Sequence, residues 1–258
     1  MAGGLLFSLP LLYTMEVWWA GFTMEAPRQL AYVGATFLLL LGYNRYAGLH
    51  PDTSFAEVVI DSVEELGLGL LLAAFILYVL GRIGPGQHVD EIVGSIVVQA
   101  MTVAIGVSVG TAQLGGGESD QGMTGDDRVT FGGQLVLGCC GAVLFAANIA
   151  PTEEVVVLGA DMSPFRLLML SLISCSLGAV ILHYSEFRGA DRWVRAGTLA
   201  AGLRGTVVTY AVALVVSAAI LYLFGRLDDV GVTTIVGQTV VLGLPATLGA
   251  SAGRLLLQ

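Results

Sequence analysis

Carboxylates set in apolar sequence are the residues of this chain with chemistry to offer. Thr14-Met15-Glu16 and Thr152-Glu153-Glu154 put them twice in a similar setting, in or beside an apolar segment. An ionisable side chain in or next to hydrocarbon is costly, and such residues commonly mark an ion path or a proton relay. Pro10 and Pro151 precede the two motifs. Proline fits the first turn of a helix, and acidic residues complement its N-terminal dipole. The apolar segment 132–150 is therefore expected to end near Asn148, with a short helix from Pro151 to about Gly159. The helix carrying Glu16 is expected to be kinked. Broken helices free carbonyls and carboxylates to coordinate cations. On this reading Glu16 and Glu154 face each other, with Glu153, Asn148, Thr14 and Thr152 beside them, and bind or conduct a cation or exchange protons. The plainer alternative makes them interfacial helix starts whose carboxylates cap amides or pair with Arg28 and Arg166.

Glu57, Asp61, Glu64 and Glu65 form a second acidic group. Their spacing of i, i+4, i+7 and i+8 places them on one helical face. Ser54-x-x-Glu57 reads as a capping box that starts the helix. Such a face could gather cations in a vestibule, or it could be a solvated helix end paired with Arg192, Arg195 or Arg204. Asp61, Glu64 and Glu65 join the candidate site because Glu64-Glu65 abuts the apolar run that follows.

The elements that must hold these groups are membrane helices. Of 258 residues, 55% are hydrophobic and 12% charged, with a mean hydropathy of +0.82. Soluble domains carry about 25% charged residues, so this chain has too little polar surface to face water, and a bilayer resolves the difficulty. Eight apolar segments could cross hydrocarbon, at 4–22, 28–48, 66–84, 92–114, 132–150, 165–184, 205–225 and 232–257. They do not alternate apolar with polar as barrel strands would. The expected class is an all-α polytopic membrane protein. The N-terminal apolar run has no positive flank and reads as a retained helix.

The segments match one another in order. At an offset of 138, Glu16 meets Glu154, Gly21 meets Gly159 and Arg28 meets Arg166. At 144, Leu77-Tyr78 and Gly81-Arg82 meet Leu221-Tyr222 and Gly225-Arg226. At 143, Ile92-Val93-Gly94 meets Ile235-Val236-Gly237. This predicts two four-helix repeats of one orientation, 1–114 and 132–258, joined by an acidic, Gly-rich linker at 115–131. All eleven basic residues are arginine. Seven of them (Arg45, Arg128, Arg188, Arg192, Arg195, Arg204, Arg254) fall on the N-terminal side, which predicts both termini in the cytoplasm of a prokaryote's inner membrane.

Other chemistry is poorly represented. The net charge of −9 argues against nucleic acid. Cys139, Cys140 and Cys175 show no CxxC spacing, and His50, His88 and His183 form no metal trio. No cofactor is expected. Gln99 and Gln238 suit interhelical hydrogen bonds, while Gly106-x-x-x-Gly110 and Gly249-x-x-x-Gly253 suit close packing within or between subunits of a homo-oligomer.

The stretches LPLLYTMEVWW and ANIAPTEE resemble those of an uncharacterised group of prokaryotic integral membrane proteins, defined only as a domain of unknown function. The resemblance covers most of the chain and implies a polytopic membrane protein, with no activity attached. The functional expectation therefore rests on the carboxylates: a channel or transporter for a small cation or proton, acting in the lipid bilayer. Two alternatives stay open. One is a non-transporting sensor, scaffold or assembly factor; the other is an intramembrane lipid-modifying enzyme using Glu153 and Glu154.

Overall fold

The computed structural model describes residues 12–47, 54–114, 131–186 and 199–256. The linker at 115–130, the first eleven residues, and Arg128, Arg188, Arg192, Arg195 and His50 lie outside them. Among the described residues there are nine helices: α1 (Met15–Thr23), α2 (Ala26–Ala47), α3 (Phe55–Val79), α4 (Val89–Leu114), α5 (Phe131–Ala146), α6 (Glu153–Asp161), α7 (Pro164–Glu186), α8 (Leu199–Leu223) and α9 (Val232–Leu256). The all-helical, multi-span character expected from composition is present.

Among the described residues five helical stretches have the length and apolarity to cross a membrane: Phe55–Val79, Val89–Thr111, Pro164–His183, Gly202–Leu223 and Val232–Gly253. Eight such spans were expected, the first of them, 4–22, lying largely outside the described residues. Two of the others have local features that set them apart. Arg28, Gln29, Asn44 and Arg45 occupy the ends of α2, leaving an apolar middle shorter than a bilayer core. Helix α5 is apolar but short, because the chain breaks where Asn148 and Pro151 predict. Turns fill 147–152, with Ile149 and Ala150 amides donating to the Ala146 carbonyl. The chain is extended at Thr152 before α6 begins. In the first half the segment 4–22 is likewise not one helix, since Thr14 is extended immediately before α1.

The helix starts of the two halves match pairwise at offsets between 138 and 144 residues. α1 and α6 begin 138 residues apart, as do α2 and α7; α3 and α8 are 144 apart, and α4 and α9 are 143 apart. Helices α1 and α6 are both nine residues long and α3 and α8 both twenty-five. Past the ends of α3 and α8, Gly81 and Gly225 have φ of +66° and +71°. After α3 the Arg82 amide donates to the Leu77 carbonyl and the Gly81 amide to that of Tyr78, a helix stop that needs a left-handed residue.

The described chain forms two compact units, residues 1–136 with 223–226, and 137–222 with 227–258. In the first, α4 is the central helix: 78% of its apolar window is buried, against 22% for α3. Tyr32, Ala73, Ala100, Met101, Val103 and Val107 form the core around it. Small residues set the approach of α1 to α4, where a Cβ on Gly21 would lie 2.5 Å from Ser95 Cα and one on Gly94 would fall onto the Gly21 carbonyl. In the second unit a Cβ on Gly237 would fall onto the Gly159 carbonyl of α6 in the same way, and one on Gly253 would lie 2.7 Å from the Leu137 carbonyl of α5. Gly249 and Gly253 thus serve α5–α9 packing. Helix α7 leaves its apolar side outward, with Leu168, Leu172 and Ile173 exposed, as lipid contact requires.

Candidate functional site

A connected polar group lies inside the first unit, around Glu65 of α3. The capping box at Ser54 fixes where this helix starts. The Ser54 amide donates to Glu57 Oε2 at 2.7 Å, and the Glu57 amide to Ser54 Oγ at 3.4 Å. From that start the acidic face divides. Glu57, Asp61 and Glu64 are exposed, whereas Glu65 is half-buried. Glu65 stands about 100° round the helix from Glu64, which turns it toward α2 and α4. Of the four carboxylates expected on one helical face, Glu65 is thus the one drawn into the unit.

Three neighbours from three helices surround this carboxylate. Asn44 Nδ2 of α2 donates to Glu65 Oε2 at 2.8 Å and also to Ser62 Oγ at 3.1 Å. Ser108 Oγ of α4 donates to Asn44 Oδ1 at 3.1 Å. Ser62 Oγ in turn donates to the Val58 carbonyl at 2.7 Å. Asn44, Ser62 and Ser108 are all buried. Among the described residues Glu65 is paired with no arginine; the charges that act on it are those of Asp61 and Glu64. A carboxylate held by neutral donors and lacking a fixed countercharge can exchange a proton or hold a small cation. Ten residues separate Glu65 from the start of α3, about 15 Å of helical rise, so it sits well inside the helix.

The sequence pointed to Asp61, Glu64 and Glu65 but missed Asn44, Ser62 and Ser108. A signal for Asn44 existed, since it closes the apolar run of α2 just before Arg45. Ser62 and Ser108 look like any small residue in a membrane helix, and only the packing of α2, α3 and α4 joins them to Glu65.

The other sequence candidates occupy helix starts. Glu16 is half-buried in the first turn of α1, in the first unit. Glu153 and Glu154 are exposed in the first turn of α6, in the second. Thr14 and Thr152 hold the N-cap positions, and neither side chain caps the helix that follows. Asn148 Nδ2 donates to the Leu144 carbonyl, one turn back on α5. Asn148, Thr152, Glu153 and Glu154 thus cluster along the break between α5 and α6.

Among the described residues no group of three or more His, Cys, Asp and Glu is placed to hold a metal ion, and Cys139, Cys140 and Cys175 form no disulfide. Gln99 and Gln238 are fully buried with their amide groups unpartnered, so neither makes the interhelical bond expected of it.

Residues 1–257 match a family model described as "Putative integral membrane protein (DUF2391)". No curated protein and no solved structure matches the chain.

Proposed function

We propose that this chain, which belongs to the DUF2391 family of integral membrane proteins, moves a proton or small cation across the bilayer, with Glu65 as the group that binds it. The observation that carries this reading is the Asn44–Glu65–Ser108 network inside the first unit. Burying a carboxylate beside a membrane core costs free energy. Holding it with the Asn44 amide and the Ser108 hydroxyl, and among the described residues with no arginine, is what a site for a mobile positive charge requires. Asp61 and Glu64, exposed on the same helix, concentrate cations at its entrance.

The wider architecture in this proposal is a pair of four-helix repeats of one orientation, 1–114 and 132–258. The pairwise-matched helix starts, the matched Gly21–Gly94 and Gly159–Gly237 approaches, and the paired left-handed glycines support it. Glu16 with Thr14 beside it, and Glu154 with Thr152, Glu153 and Asn148, then occupy related helix breaks, each a further carboxylate site for the cation within its own repeat. The arginine distribution favours both termini in the cytoplasm of a prokaryotic inner membrane, and the glycine-rich helices suit a homo-oligomer.

The test is flux in proteoliposomes, comparing wild type with Glu65→Gln and with Glu57→Gln. The first exchanges the proposed site for a neutral isostere. The second alters an exposed carboxylate while leaving glutamine able to complete the capping box. Loss of flux in Glu65→Gln alone supports the reading.

A further inference from the structure

At the far end of α3 from Glu65 lies a second polar site, of different character. Gly81 is sixteen residues beyond Glu65, about 24 Å along the helix axis. There α1, the end of α3 and the start of α4 enclose a cavity of about 210 Å3. Its apolar wall is Met15, Trp19 and Phe22 of α1, all exposed. Its polar wall includes Arg82 and Ser95.

Two of the cavity's polar groups are already committed. Trp18 Nε1 donates to the Leu12 carbonyl at 3.0 Å. Gln87 Oε1 accepts from the Gly84 amide and its Nε2 donates to the Arg82 carbonyl, each at 3.0 Å. Two others are not committed in this way. The Arg82 guanidinium lies 4.3 Å over the Trp18 ring, and among the described residues it rests on no carboxylate. Stacking on an aromatic face fixes the plane of a guanidinium and leaves its edge donors available. Ser95 is 2% exposed, and its hydroxyl has no hydrogen-bond partner. The hydroxyl faces α1 at Gly21, where an added Cβ would lie 2.8 Å from it. A buried hydroxyl without a partner costs free energy, which a bound acceptor would recover.

The geometry points to a binding site for an anionic oxygen group, a phosphate ester above all, attached to an apolar body. Arg82 supplies the positive charge and planar donors, Ser95 a further donor, and Met15, Trp19 and Phe22 the apolar contact. Paired tryptophans beside an arginine belong at the membrane–water boundary, where an anionic phospholipid offers this combination of groups. A soluble phosphate compound offers the same polar part. The volume admits a headgroup and not a whole lipid. The second unit lacks the equivalent: by the same offsets Val156 stands for Trp18 and Gln238 for Ser95.

Native mass spectrometry of the full, delipidated chain in non-ionic detergent tests this. The titrants are phosphatidylglycerol, phosphatidylcholine with the same acyl chains, and inorganic phosphate. Phosphatidylglycerol is expected to bind at least about tenfold more tightly than phosphatidylcholine, the scale of one charge-assisted hydrogen bond. Arg82→Gln and Ser95→Ala should each weaken that binding by about tenfold, and Arg204→Gln should leave it unchanged. Ser95→Ala keeps the Arg82–Trp18 stack, so it serves if Arg82→Gln fails to fold. Phosphate that displaces the lipid from wild type assigns the site to soluble phosphates, whereas phosphate without effect assigns it to the lipid. Equal binding of the two lipids, or binding indifferent to both substitutions, overturns the proposal.

Discussion

Asn44 Nδ2 of α2 sits 2.8 Å from Glu65 Oε2 of α3, and the same amide reaches α4 through Ser108. One asparagine thus ties three helices together around a carboxylate that is paired with no arginine among the described residues. Asparagine suits this place because its side chain both donates to an acceptor-only carboxylate and accepts from a hydroxyl.

Replacing Asn44 with leucine removes those bonds and leaves Glu65 with the Ser108 hydroxyl alone as a side-chain donor. The expected cost is about 1–3 kcal/mol, the range for stranding buried polar groups, since interhelical hydrogen bonds in membranes contribute modestly. Thermal unfolding in detergent should show a lowered midpoint. Glu65→Gln keeps an acceptor for the Asn44 amide and should unfold close to wild type.

Helix approach at the paired glycines gives a second expectation. Gly94→Ala and Gly237→Ala each drive a methyl group onto a backbone carbonyl, of Gly21 and Gly159 respectively. Backbone cannot swing aside as a side chain can, so each should destabilise by about 1–3 kcal/mol, the usual cost of overpacking. Gly34 in α2 has nothing within 4 Å of an added Cβ, and Gly34→Ala should be neutral or slightly stabilising. Thermal midpoints of the three variants check the contrast.

The left-handed glycines after α3 and α8 give a third. Alanine at Gly81 or Gly225 meets open backbone geometry only at positive φ, costing about 1–2 kcal/mol. Gly81→Ala should also disturb the Arg82–Trp18 stack, read as a shift in tryptophan emission that Gly225→Ala does not reproduce.

The helix breaks carry a fourth. In proteoliposomes, Glu16→Gln and Glu154→Gln, each made singly, should slow flux as carboxylate sites of their own repeats. Flux equal to wild type would confine the path to the Glu65 site and remove the helix starts from the account.

Much of the architecture was legible because membrane helices are written in local terms. Apolar length, the Ser54 capping box, and the stop at Asn148 and Pro151 each depend on residues within a turn or two. Legibility failed where an outcome depended on how helices rotate against one another. Glu64 and Glu65 are adjacent in sequence, yet one is exposed and the other turns into the unit. That choice is made by α2 and α4, which supply Asn44 and Ser108 from sequence far removed. Gln99 and Gln238 show the reverse case, since their residue type suggested interhelical bonds that the packing does not provide. The cavity beside Arg82 was likewise hidden, because Trp18 and Ser95 lie 77 residues apart in the chain.

The decisive measurement is proton and monovalent-cation flux into liposomes containing the purified full-length chain, followed with pH- and ion-sensitive dyes under an imposed gradient. Wild type and Glu57→Gln should carry flux above protein-free liposomes, and Glu65→Gln should fall to the protein-free level while remaining folded. Flux in Glu65→Gln equal to wild type, or no flux from wild type for any proton or monovalent-cation gradient, would contradict the assignment of Glu65 as the binding group.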